Sequence, residues 1–158
     1  MPKVNESDIE WSESDHGDAQ FRRKQLGEAA GGEQLGCSLY ELPPGKQSWP
    51  YHYHTANEEA IYVLTGEGLL RADDGEHDLT TGDFVTFPAD ERGGHQVVND
   101  SETTLRYLAV STMNEPDVTV YPEMEKIGVF AGAPPGGRDE RSLHGYYPLD
   151  ADVGYWDE

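Results

Sequence analysis

Cysteine is nearly absent from this chain: Cys37 stands alone, so no intrachain disulfide can form, and a buried apolar role is expected for its thiol. Cations are also scarce. Eleven Lys and Arg face 31 Asp and Glu, a formal net charge of −20, which argues against a nucleic-acid-binding surface and against attraction to anionic membranes. Long apolar runs are missing too. No stretch approaches membrane-spanning length, and no basic segment followed by an apolar one marks an export signal, so a soluble, intracellular, cytoplasmic protein is expected. Helical periodicity is rare, and no internal repeat, low-complexity block or helix-turn-helix pattern is visible.

What is present fits one domain. At 158 residues the chain is long enough for a sizeable core and shows no sign of a second one. The acids are scattered and lysine is especially sparse, the composition of a solvated coat suited to a salt-rich, halophilic cytoplasm where ions screen self-repulsion.

From Gln34 onward, short apolar or alternating runs are separated by Gly, Pro, Asn and Asp, the texture of an all-β barrel or sandwich. The expected strands are Leu35 to Leu42, Ser48 to His54, Glu59 to Thr65, Gly68 to Ala72, His77 to Thr80, Phe84 to Phe87, His95 to Asn99 and Thr104 to Ser111. Pro43-Pro44-Gly45, Asp74-Gly75 and Thr81-Gly82-Asp83 supply the turns. Residues 1–34 read as an N-terminal extension whose first eighteen residues are a flexible lead. Residues 35–111 read as the barrel. Residues 112–158 read as a C-terminal extension with short strands at Val118 to Tyr121 and Ile127 to Phe130. Tyr146, Tyr147, Tyr155 and Trp156 are expected to dock on the barrel or on a partner subunit, because aromatics are costly to leave in water.

His52 and His54 are two positions apart, so on a strand both imidazoles point to one face, with Tyr51 and Tyr53 on the other. Glu59 opens the next β-run and can fold back beside them, and His95 comes from a more distant strand. Three imidazoles and a carboxylate suit a divalent transition metal (Fe, Mn, Ni, Zn or Cu) and leave coordination positions open to chemistry.

These residues also resemble the two motifs of the cupin superfamily. The first reads Gly45, KQSWPY, His52-Tyr53-His54, TANE, Glu59, AIYVLT, Gly66, with a spacer after Gly45 one residue longer than usual. The second reads Gly82, DFVTF, Pro88, then His95, QVV, Asn99, with a longer connection, Ala89 to Gly94, between proline and histidine. The motifs span residues 45–99, about a third of the chain, and LGCSLYELPPG at 35–45 and the YW near the end are similar, more weakly, to single-domain prokaryotic cupins. The resemblance implies a double-stranded β-helix, a jelly-roll barrel, and metal ligation by His52, His54, Glu59 and His95. Glu58 is the rival to Glu59, fitting a shorter spacing, while strand alternation favours Glu59.

The ligand set and the resemblance together imply a metal-dependent enzyme of oxygenase, decarboxylase or isomerase type acting on a small polar metabolite. The alternative is a non-catalytic protein that binds or senses a small molecule through its metal. Arg71 and Arg106, on expected barrel strands, are the candidates to meet an anionic substrate, although Leu105 and Tyr107 compete with Leu108 and Val110 for the inward face. Trp49, Tyr53 and Tyr62 fall on the face opposite the ligands and are expected to pack. His16, His77 and His144 are expected in solvent. Resemblance further implies a homodimer.

Overall fold

The computed structural model describes residues 3–137 and 139–157. Thirteen strands run in order: β1 Ser12–His16, β2 Ala19–Gln25, β3 Leu35–Leu42, β4 Tyr53–His54, β5 Glu59–Thr65, β6 Glu67–Ala72, β7 Gly75–Thr80, β8 Phe84–Phe87, β9 His95–Val98, β10 Leu105–Thr112, β11 Asp117–Tyr121, β12 Lys126–Ala131 and β13 Leu143–Pro148. The one α-helix among the described residues is a single turn, α1, Leu26–Ala29. Three antiparallel sheets result: β1-β2-β3-β10-β5-β8, β13-β12-β11-β4 and β7-β6-β9.

The core is the inward face of the large sheet set against the small one. Leu105 and Tyr107 of β10 pair with Leu42 and Tyr40 of β3 and are buried with Ile61, Val63, Leu70, Leu79, Phe87 and Val97. This decides the phase of β10: Leu105 and Tyr107 point inward.

The N-terminal residues are not a flexible lead. β1 and β2 form a hairpin around the two-residue loop Gly17-Asp18, where Gly17 has φ +73°, the left-handed conformation that such tight turns need. β2 pairs with β3 and drives Phe21 into the core. Burying that ring contributes about 1.5–3 kcal/mol. The exposed Arg22–Glu41 pair on the same strands adds about 0–1 kcal/mol, so the apolar anchor does most to hold the hairpin.

The C-terminal extension expected after residue 111 meets the barrel through β11. β11 pairs with β4, with Thr119 opposite His54, and β12 and β13 extend that sheet. The expected strand Ser48 to His54 is interrupted because Pro50 has no N–H to donate. The segment still crosses the barrel: Ser48 N donates to Val97 O at 2.9 Å, and His52 and His95 exchange backbone hydrogen bonds at 3.2 and 2.9 Å.

The tail aromatics divide: Tyr146 packs on Tyr121 and Phe130, with ring centroids 6.1 Å from each, while Tyr155 and Trp156 do not dock on the barrel. Tyr155 and Trp156 stack edge to face on each other and are each 88% exposed, while Tyr146 and Tyr147 on β13 are about half exposed. Tyr62, expected to pack, is 41% exposed.

Candidate metal centre

Three strands bring the donors together. His52 stands just before β4 and His54 ends it, Glu59 begins β5, and His95 begins β9. Nε2 of His52, His54 and His95 lies 3.9, 3.5 and 3.4 Å from the same Glu59 oxygen, Oε2. Donor atoms of His52, His54 and Glu59 all fall within 4.8 Å of one another. Glu58 is exposed and outside this group.

Each imidazole is oriented from behind. His52 Nδ1 lies 2.8 Å from Pro50 O and His95 Nδ1 lies 2.8 Å from Gly93 O. A carbonyl only accepts, so Nδ1 carries the proton in both rings, and a neutral ring then aims its Nε2 lone pair at the centre. His54 Nδ1 instead meets Asp117 Oδ2 at 2.6 Å and lies 3.2 Å from Thr119 Oγ1. Asp117 is buried, and its second oxygen accepts from Ala56 N at 2.9 Å. His95 also stacks on Phe87, with ring centroids 3.7 Å apart.

Ala89 to Gly94, the long connection before His95, is a capped turn. Asp90 accepts from Arg92 N at 2.9 Å, and a 3₁₀ turn over Glu91–Gly93 delivers the Gly93 carbonyl to His95. The extra residues thus build the acceptor that fixes the His95 ring.

The electrostatics favour neutral rings at two positions. Burial, aided by repulsion from the neighbouring imidazoles, holds His52 well below the ordinary imidazole range. Burial likewise lowers His95, against the pull of Glu59. At His54 burial opposes the charge, but the Asp117 hydrogen bond and the charges of Glu59 and Asp117 outweigh it, and its pKa is raised. Burial opposes the Asp117 carboxylate too, yet its bond to His54 holds it below the usual carboxylate range. The three imidazole Nε2 atoms and the partly buried Glu59 carboxylate would hold a divalent metal, with the buried Asp117 carboxylate behind His54 offsetting part of its charge, so the residues fit such an ion.

All four donors line one cavity of about 710 Å³. Trp49 lines it as well, a correction to the outward placement expected for it, and its Nε1 donates to Tyr40 Oη at 3.0 Å. Neither arginine put forward from the sequence is among the lining residues. Arg71 is held by Glu123 and by Gln96 Oε1 at 2.6 Å, and Arg106 by Glu6 and Glu41, because the face available to their strands is a charged outer one. The cavity arginines are Arg23 and Arg141, from the extensions, and sequence patterning carried no signal for them. His144 is exposed, as expected, but it lines the cavity and stacks on Phe130 with centroids 4.7 Å apart. Cys37 is half-buried, and burial pushes its thiol up, away from the reactive thiolate.

The Cupin domain family matches residues 38–111. The chain is 30% identical to the “Putative sugar phosphate isomerase” of Acidithiobacillus ferrooxidans over 96% of this chain and 92% of that one, with a TM-score of 0.77. A sugar phosphate isomerase from a cupin superfamily, from Silicibacter pomeroyi, is 29% identical over 95% and 94%, with a TM-score of 0.80. The “predicted oxalate decarboxylase” of Thermotoga maritima is 25% identical over 70% of this chain and 97% of that one, with a TM-score of 0.60. No curated protein matches the sequence. The chain belongs to the cupin superfamily, and it carries a His-His-Glu cluster of metal-ligating type inside an all-β double-stranded β-helix. No helix among the described residues is long and apolar enough to cross a membrane.

Proposed function

We propose that this protein is a metal-dependent isomerase that moves a proton between neighbouring carbons of a small polyhydroxy carbonyl compound. The reading is carried by three imidazole Nε2 atoms and a carboxylate aimed at one point on the wall of the cavity. The likeness to two sugar phosphate isomerase structures, over nearly the full length of each chain, supports it over decarboxylase and oxygenase alternatives.

His52, His54, Glu59 and His95 would hold the ion. A divalent metal bound there supplies Lewis-acid polarisation of substrate oxygens. Burial, with Tyr146 beside it, raises the pKa of Tyr121, which therefore keeps its proton near neutrality. Its ring lies 5.8 Å from that of His52, so its hydroxyl serves as a donor to a substrate oxygen beside the centre. His144, the lining imidazole outside the ligand group, is assigned the acid–base role. Trp49, Tyr107 and Ile61 form walls that keep water from the reacting carbons.

The test begins with elemental analysis of protein purified without chelator, followed by sugar phosphates in D₂O with the metal so named. Deuterium should enter the carbon next to the carbonyl, and His52→Ala should lose metal and exchange together. A ligand that binds and is always returned unchanged would instead favour the non-catalytic binding or sensing role, and release of CO₂ a decarboxylase.

A further inference from the structure

The arginines among the described residues fall into two groups. Arg22, Arg71, Arg92 and Arg106 each meet a carboxylate: Glu41, Glu123, Asp90, and Glu6 with Glu41, respectively. Arg23 and Arg141 have no ion pair within the described residues, and these two line the cavity that holds the metal-ligating group. In a chain with 31 acids to eleven bases, carboxylate partners are abundant, so two half-buried guanidiniums without one are out of keeping with the rest of the molecule.

Neither is neutralised by a carboxylate within the described residues, and Arg141 is also held in place. Arg141 Nε and Nη2 donate to the carbonyls of Ala133 and Pro134, each at 3.0 Å, and its guanidinium lies 5.3 Å from the Phe130 ring centroid. Arg23 sits 5.9 Å from the Trp49 ring centroid. Glu59 apart, the acids that also line the cavity, Glu28, Glu33, Glu115 and Asp139, are all exposed, where water and salt screen them. Arg23 comes from β2 and Arg141 from just before β13, one cation from each side of the family-matched segment 38–111.

We propose that Arg23 and Arg141 form an anion-recognition subsite that takes a phosphate or carboxylate group of the substrate, while its carbonyl end meets the metal centre. The planar guanidinium fork matches either group. The placement of the carbonyl end rests on the isomerase reading above; the subsite itself rests on the two arginines.

The test is calorimetric titration of the metal-loaded protein with inorganic phosphate and, in parallel, acetate, at constant ionic strength. At least one anion should bind. Arg23→Gln and Arg141→Gln should each weaken it tenfold or more, Arg23→Lys should keep part of the affinity, and the ion-paired control Arg22→Gln should change nothing. Metal content and melting temperature should be unaltered in all four, and the anion that responds names the group. Unchanged affinity in a folded Arg23→Gln/Arg141→Gln chain, or no binding of either anion by the native protein, overturns the subsite. The two readings fail separately. Arginine-dependent anion binding without proton exchange keeps the subsite and removes the isomerase, and exchange without arginine dependence does the reverse.

Discussion

His54 differs from the other two imidazoles in what holds it: a buried carboxylate in place of a backbone carbonyl. Asp117→Asn keeps the shape but removes the charge that makes His54 a strong donor. Metal affinity is expected to fall about 10–100-fold, read by competition with a chelator. The pH dependence comes from the signs of the shifts. His52 and His95 are lowered, so their contribution to stability is complete above the ordinary 6.5 and is lost as pH falls from there through their folded values. The raised His54 works the other way, contributing fully below 6.5 and less as pH rises through its folded value. Two groups outweigh one, so chelator-treated protein should melt at lower temperature as pH drops from 7 to 5. The loaded protein should release metal over the same window as protons compete for Nε2. Metal content constant from pH 7 to 4 would remove imidazole ligation from the account.

Among the elements, the Ala89 to Gly94 turn shows how a loop orients the His95 ring. An added Cβ at Gly93 would overlap the Pro88 carbonyl oxygen, a backbone atom that cannot swing aside, and Gly93 itself carries the acceptor for His95. Gly93→Ala should therefore cost about 1–3 kcal/mol of stability by overpacking and weaken metal binding in the same protein, measured by denaturant titration and metal stoichiometry. Element by element, legibility followed local pattern. β3, β5 and β8 stand where alternation and turn residues placed them, with Gly66 and Gly82 at positive φ in the intervening turns and Gly75 at positive φ where β7 begins. β2 was invisible because AQFRRKQ holds one large apolar residue, Phe21, and no alternation. β13 was invisible because five of its six residues are exposed, and pairing with β12 alone makes it a strand. Arg23 and Arg141 escaped notice with them, since a cation's role depends on which carboxylates fold beside it.

For the whole molecule, the charge of −20 opposes compaction through self-repulsion that salt screens. The melting temperature is expected to rise by several degrees between millimolar and molar NaCl, and an unchanged value would remove the acidic-coat argument. With Tyr155 and Trp156 exposed rather than packed on their own barrel, the homodimer reading sets them against a second copy. Light scattering should then give twice the 17.5 kDa chain mass, and a monomer mass would discard that reading.

Residue order by itself determined the β-texture of the central segment and the ligand candidates, because strand alternation and the spacing of His52, His54, Glu59 and His95 are local properties. Which face of β10 turned inward, the pairing of β2 with β3 and of β11 with β4, the carboxylate behind His54, and the two arginines without an ion pair among the described residues were decided by tertiary structure. Each depends on contacts between residues far apart in the chain, as Asp117 with His54 and Arg141 with Phe130 and the Ala133 carbonyl, and no periodicity encodes such a meeting.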